Sequence, residues 1–252
     1  QGESENSLLE FVKNLERGKN LEKIRGIWPN PPAQLTDLSK IPQEDKEILN
    51  FGEIINKKNM WAGEVIATRG CPYECSYCCN STINEFYRKG LRIQTKDILR
   101  RRPIEHVIEE LSAMQEKYPG IKMFILGDDT FTLKKNYCLD FLNEYKKNIE
   151  KPFVCNVNLL SFDKDIANSL KEAKCYEIKV GIESGSERIR KEVLNRAITN
   201  EKILEKTEMA HNSGLNISTF NMLGLPTETP EELMETLELN SKIKPRRMKF
   251  MI

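Results

Sequence analysis

Cys71, Cys75 and Cys78 are spaced by four and then three residues within Thr68-Arg69-Gly70-Cys71-Pro72-Tyr73-Glu74-Cys75-Ser76-Tyr77-Cys78. Three thiolates on one loop can converge on a single cuboidal iron–sulfur cluster, each supplying one iron corner and leaving the fourth iron open. Tetrahedral zinc, or a group of buried thiols, would use the same residues. Zinc usually closes its shell with a second Cys pair or a His pair at short spacing. The chain has two histidines, His106 and His211, each inside a helical pattern. Cys79 is the only further thiol nearby, and Cys138, Cys155 and Cys175 stand far apart, as small buried hydrophobes do.

Other segments combine polar groups with tight turns. Gly127-Asp128-Asp129-Thr130-Phe131 offers two acids at a strand end, to be read either as a charge partner for a ligand or as a turn with acids at a helix start. Gly181-Ile182-Glu183-Ser184-Gly185-Ser186 places one acid similarly, with Lys179 its candidate pairing partner. Asn156-Val157-Asn158 offers neutral donors and acceptors. Met222 and Leu223, ahead of Gly224-Leu225-Pro226-Thr227-Glu228, offer an apolar surface that suits a flat base or a core. Arg88-Lys89-Gly90-Leu91-Arg92, with Lys96 and Arg100-Arg101-Arg102, reads as a solvated basic face or a site for an acidic substrate.

These residues need strands to carry them. Short apolar runs at Glu64 to Thr68, Lys122 to Leu126, Phe153 to Asn158, Glu177 to Ile182, Asn216 to Met222 and Met248 to Ile252 alternate with amphipathic helices. That rhythm predicts an α/β fold, a partial (β/α)6 TIM-like barrel of parallel strands. Pro103 opens a helix over Ile104 to Lys117, Thr229-Pro230-Glu231-Glu232 is a capping box, and Gly214 closes a helix over Asn200 to Ser213. In the fourth run Ile178, Val180 and Ile182 share one face while Glu177, Lys179, Gly181 and Glu183 share the other. A polar inner face suits a lumen that holds ligands.

The 252 residues suit one main domain, with residues 1–60 a helix and proline-rich linker and residues 61–252 the barrel, truncated at its C-terminal end. Starting at Gln1 and stopping within Met248-Lys249-Phe250-Met251-Ile252, the chain reads as an excerpt of a longer protein. Charged residues at 31% and apolar residues at 39% exclude a membrane protein and a disordered tail. A net charge of +1 gives no global reason to expect a nucleic acid or a membrane as partner. Seven cysteines, with no signal-peptide pattern, point to a reducing cytoplasm.

The CxxxCxxC loop, with Tyr77 just before its last cysteine and a strand before it, resembles the radical S-adenosylmethionine (radical SAM) superfamily. The resemblance implies a [4Fe-4S] cluster on Cys71, Cys75 and Cys78, and an open iron that chelates the amino and carboxylate groups of S-adenosylmethionine. An electron from the cluster then cleaves the C–S bond to give a 5′-deoxyadenosyl radical. It implies that Gly127, Asp128 and Asp129 take the place of a Gly-Gly-Glu motif, that Glu183 and Ser184 serve the ribose, and that Met222 and Leu223 lie beside the adenine. Tyr77 and Asn158 join these as cofactor-binding candidates. A reducing protein such as flavodoxin or ferredoxin is the expected electron donor, and the substrate is unknown. The DDTF, GIESGS and GLPxE segments resemble the cobalamin-binding branch, with methyl transfer, rearrangement or ring formation as its reactions. Thr227 stands where that branch commonly has Gly, and no Asp-x-His-x-x-Gly pattern occurs, so cobalamin would belong to the full-length protein only. Two other classes are open: a methylthiotransferase acting on RNA or protein, and a non-catalytic metal-binding module.

Overall fold

The computed structural model describes residues 2–57 and 61–252. Residue 60, the expected domain boundary, and Gln1 lie outside the described residues. The chain divides into two compact units, one built from the residues up to Pro42 with Arg69–Arg101, the other from Gln43–Thr68 with Arg102–Ile252.

In the first unit α1 spans Glu5–Glu16 and α3 spans Cys79–Leu91, followed by the single turn α4, Thr95–Ile98. Residues 18–42 contain no helix or strand, yet Ile24, Ala33, Thr36 and Leu38 are buried there. Two short strands, β2 (Thr68–Arg69) and β3 (Arg100–Arg101), form a two-stranded sheet.

The second unit begins with α2, Phe51–Lys57, and holds a six-stranded sheet. Its strands are β1 (Ala62–Val65), β4 (Met123–Leu126), β5 (Phe153–Val157), β6 (Cys175–Glu183), β7 (Asn216–Met222) and β8 (Arg247–Met251), ordered in that sequence. Every neighbouring pair is parallel. Helices α5 (Ile104–Lys117), α6 (Lys135–Asn148), α7 (Lys164–Glu172), α8 (Asn200–Asn212) and α9 (Pro230–Ile243) make the crossovers. This is the expected partial barrel, because a parallel step needs a helix-length return.

Alternation along each strand decides which face the helices cover. Phe124, Leu126, Cys155, Val157, Ile178, Val180, Ile182 and Ile217 join one core with Leu111, Phe141, Leu170, Ala210 and Ile243 from the helices. Full burial of each large apolar side chain is worth about 1.5–3 kcal/mol. Glu64, Ile125, Asn156, Glu177, Lys179 and Ser218 therefore point to the concave face. Local punctuation also holds: Thr229 accepts from the Glu232 N–H while the Glu232 side chain accepts from the Thr229 N–H, with Pro230 at the first helical position.

One strand ends earlier than its composition predicts. β1 stops at Val65 rather than Thr68, because the N–H groups of Ala67 and Thr68 leave the ladder for the carboxylate of Asp128.

Candidate active site

The first unit carries the cysteine loop. Cys71 and Cys75 are buried and Cys78 is half-buried, while Cys79 is exposed as the first residue of α3. No disulfide joins the seven cysteines. The loop is fixed through its backbone. Asn84 of α3, fully buried, donates from Nδ2 to the Cys71 carbonyl at 2.7 Å. The Cys78 N–H donates to the Cys75 carbonyl at 3.1 Å, and the Ser81 hydroxyl to the Cys78 carbonyl at 2.8 Å. Gly70 sits at φ +91°, and a Cβ there would fall 2.6 Å from the Ile98 carbonyl oxygen, so only glycine fits. Tyr77 is 40% exposed.

An acid far away in sequence braces this loop. Glu3 binds the guanidinium of Arg100, accepts the Thr36 N–H at 3.0 Å, and lies 3.5 Å from Arg69, which also pairs with Glu5 at 2.6 Å. Burial alone would raise the Glu3 carboxyl, but the bonds from Arg100 and Thr36 hold it below the usual carboxylate range. Arg88 pairs with Glu74 at 2.8 Å and Lys89 with Glu85, so much of the basic segment is already neutralised by local acids.

Among the described residues no three His, Cys, Asp or Glu side chains close around a single ion. The three thiols of the loop suit a cuboidal cluster, in which each thiolate binds its own iron at a separate corner. Two of the three thiols are sheltered and the third faces half outward.

The second unit holds the remaining candidates at the C-terminal ends of its strands. Asp128 is fully buried, and its two oxygens accept the N–H groups of Ala67, at 3.3 Å, and Thr68. Burial pushes its carboxyl up to about 6. Asp128 thus grips the backbone at the end of β1 with both oxygens. Asp129, next to it, is exposed. Asn156 donates to the Asp128 carbonyl at 2.8 Å. Asn158 spends its side-chain oxygen on the Leu160 N–H, at 2.9 Å, as the cap of the short turn Leu159–Ser161, so that oxygen serves structure.

Glu183 ends β6 at φ +70°, a conformation costly for any residue with a Cβ, beside a register shift between Gly181 and Glu183. A Cβ on Gly181 would strike the Glu183 carboxylate, which therefore lies over that glycine, and Arg196 donates to the Gly181 carbonyl at 2.8 Å. Ser184 is fully buried, its hydroxyl accepting the Ser186 N–H at 3.2 Å.

Sequence reasoning missed what holds this loop. Arg190, fully buried in the π-helical turn Ile189–Val193, donates to the carbonyls of Ser184 and Ile198 and to the Asn200 side chain. Burial pulls its guanidinium down to about 10. Asn200 donates to the Gly185 carbonyl at 3.0 Å, and the Gly185 N–H donates to Thr236 at 2.7 Å. Arg188 forks onto Glu232 at 2.7 and 2.8 Å and, with the Thr229 N–H, holds that carboxyl down to about 2.

Met222 and Leu223 are half-buried at the end of β7, outside the helix-covered core. The loop after them closes on itself, Glu228 accepting from the Gly224 N–H at 2.7 Å and the Leu225 N–H at 3.1 Å. Thr227 sits at φ +63°, which explains why glycine would suit the position.

The sequence profile of the Radical SAM superfamily matches residues 65–239. The chain belongs to this superfamily. It is thus a radical SAM enzyme domain, and the family implies a [4Fe-4S] cluster and S-adenosylmethionine. An uncharacterized methyltransferase of Pyrococcus horikoshii is 29% identical over 255 residues, covering 96% of this chain and 52% of the relative. Cytidylyl-2-hydroxyethylphosphonate methyltransferase of Streptomyces wedmorensis is 24% identical over 166 residues, 65% of this chain and 29% of the relative. This radical SAM chain thus spans about half, or less, of the length of these curated relatives. The fold matches the radical S-adenosylmethionine methyltransferase TsrM from Kitasatospora setae, solved with cobalamin and a [4Fe-4S] cluster, at a TM-score of 0.74 and 18% identity, over 99% of this chain and 50% of that one. No described helix is long and apolar enough to cross a membrane.

Proposed function

We propose that this chain is the catalytic portion of a radical SAM methyltransferase of the cobalamin-dependent type. Cys71, Cys75 and Cys78 would hold the cluster. Bound there, it supplies the electron that cleaves a C–S bond of S-adenosylmethionine, with a flavodoxin or ferredoxin as donor. The observation that carries the reading is the order of motifs: a three-cysteine loop after β1, then Asp129, Glu183 and Met222-Leu223 at the ends of β4, β6 and β7, where barrels of this architecture keep their chemistry.

Within that reading each side chain has its own task. Asp129 is exposed and carries the charge for the ammonium of S-adenosylmethionine, while Asp128 acts through the backbone of Ala67 and Thr68. Glu183, held by the clamp of Arg190, Asn200 and Thr236 on the next two residues, Ser184 and Gly185, accepts from ribose hydroxyls. Met222 and Leu223 cover the adenine, Tyr77 flanks the cluster, and cobalamin is left to the rest of the protein.

Product analysis tests the reaction class. The full-length protein is reconstituted anaerobically with iron, sulfide and cobalamin, reduced, and supplied with S-adenosylmethionine and candidate substrates. Methyl transfer converts the methyl donor to S-adenosylhomocysteine, whereas rearrangement or ring formation yields 5′-deoxyadenosine without it. Formation of S-adenosylhomocysteine with each methylated product is expected; 5′-deoxyadenosine alone would move the protein to another class.

A further inference from the structure

Outside these motifs, the second unit contains a cavity of about 440 Å³, within the range of sites for small organic ligands. It opens on the concave face of β1 and β4. Leu49, Phe51, Trp61 and Ile125 supply apolar walls, and Lys46 and Glu64 line it as charged groups. Leu49 is 64% and Trp61 50% exposed, an unusual waste of apolar surface for two neighbours in one cavity.

The two charges are not equivalent. Lys46 lies 2.9 Å from Glu44 and 3.3 Å from Glu110, and its ammonium sits 5.6 Å from the Phe51 ring centre. Its charge is thus answered twice over. The Glu64 side chain, exposed to solvent, makes no hydrogen bond and no ion pair among the described residues. Its carboxylate lies over Gly127, where any Cβ would collide with it.

The register extends the same charge across the sheet. Glu64 pairs with Ile125, Ile125 with Val154, and Val154 with Glu177. Glu177 is 5% exposed, and its Oε2 has no hydrogen-bond partner. A buried carboxylate oxygen without a partner is costly, and Glu177 lies beyond the lining of the cavity, adding negative charge to the same face rather than a contact. No Lys or Arg stands in that row; the nearest along β6, Lys179, lies one row further on.

We propose that this cavity binds an organic cation with an apolar body, an amine in chemical class, its charge seated on Glu64 and its body against Trp61 and Ile125. Aromatic walls favour such a ligand, because a ring face attracts a cation while covering its carbon frame. The assignment does not depend on the cluster or on the proposed reaction.

The test uses three probes of one shape: 1-naphthylmethylamine, 1-naphthalenemethanol and 1-naphthoate. Each is titrated calorimetrically into the full-length protein, with and without saturating S-adenosylmethionine, which is itself a cation. A charge-assisted hydrogen bond corresponds to about a tenfold preference for the amine over the alcohol, and a larger one over the carboxylate. Glu64→Gln should erase the preference for the amine while leaving the alcohol's affinity within about threefold, and Ile125→Trp should abolish binding of all three by filling the cavity. Equal affinities for the three probes in the unaltered protein would overturn the proposal. So would a preference that survives Glu64→Gln, or displacement of the amine by S-adenosylmethionine, which would make the cavity part of the cofactor site.

Discussion

The carboxylate of Asp128, at the end of β4, accepts the backbone N–H groups of Thr68 and its neighbour Ala67, at the end of β1. Three residues further on the chain reaches Cys71. A buried acid in the second strand's motif thus fixes the backbone where the first strand ends.

That arrangement has a pH signature. Asp128 has an ordinary value of 3.8 and is pushed by burial to about 6 in the fold. A carboxyl whose folded pKa exceeds its unfolded one binds protons more readily when folded, so its contribution to stability falls as pH rises through that window. Measured by urea unfolding, the stability of the unaltered protein minus that of Asp128→Asn should decline by up to about 3 kcal/mol between about pH 4 and about pH 6, then level off. A difference that stays flat across that range would contradict it.

Arg190 is expected to be among the least replaceable residues outside the three cysteines proposed to hold the cluster. Arg190→Met leaves the Ser184 and Ile198 carbonyls and the Asn200 side chain without their donor in a buried setting. The loss should be about 3 kcal/mol or more by denaturant unfolding, with weakened binding of S-adenosylmethionine because the Ser184 loop loosens.

Thr227 runs the other way. A β-branched residue at φ +63° pays about 1–2 kcal/mol, part of which glycine returns through its greater freedom in the unfolded chain. Thr227→Gly should raise stability by up to about 1 kcal/mol, read as a melting temperature a few degrees higher. A lower melting temperature would show that the Arg188 bond to Thr227 outweighs the strain.

Glu177→Gln should likewise stabilise the ligand-free protein, by about 1 kcal/mol, because an amide is cheaper than a carboxylate to bury with an unpartnered oxygen. Thermal unfolding of the two proteins makes the comparison; destabilisation would mean that the carboxylate is answered within the fold.

Much of this was legible in the sequence. The strands of the barrel could be read from alternation such as Ile178, Val180 and Ile182 against Glu177, Lys179 and Gly181, and helix starts from rules as local as Thr229 with Glu232. Those signals act within a few residues. The clamps on the site do not: Asn84 lies 13 residues from Cys71, Glu3 is 97 from Arg100, and Thr236 is 51 from Gly185. The bonds of Asp128 to Ala67 and Thr68 were not legible because a buried acid gripping backbone and an exposed acid awaiting a ligand look alike in sequence. Glu64 was overlooked because a polar residue in an alternating strand reads as solvated, which it is; only its place in the wall of a cavity sets it apart.

The central claim is that Cys71, Cys75 and Cys78 together hold a cluster that binds S-adenosylmethionine. Electron paramagnetic resonance of the reconstituted, reduced full-length protein measures it most directly, alongside iron analysis. About four irons per chain are expected, with a reduced-cluster spectrum that changes when S-adenosylmethionine is added, and both features lost in Cys71→Ala, Cys75→Ala and Cys78→Ala but kept in Cys79→Ala. A spectrum indifferent to S-adenosylmethionine, or a cluster that survives loss of one of the three thiols unchanged, would contradict the account.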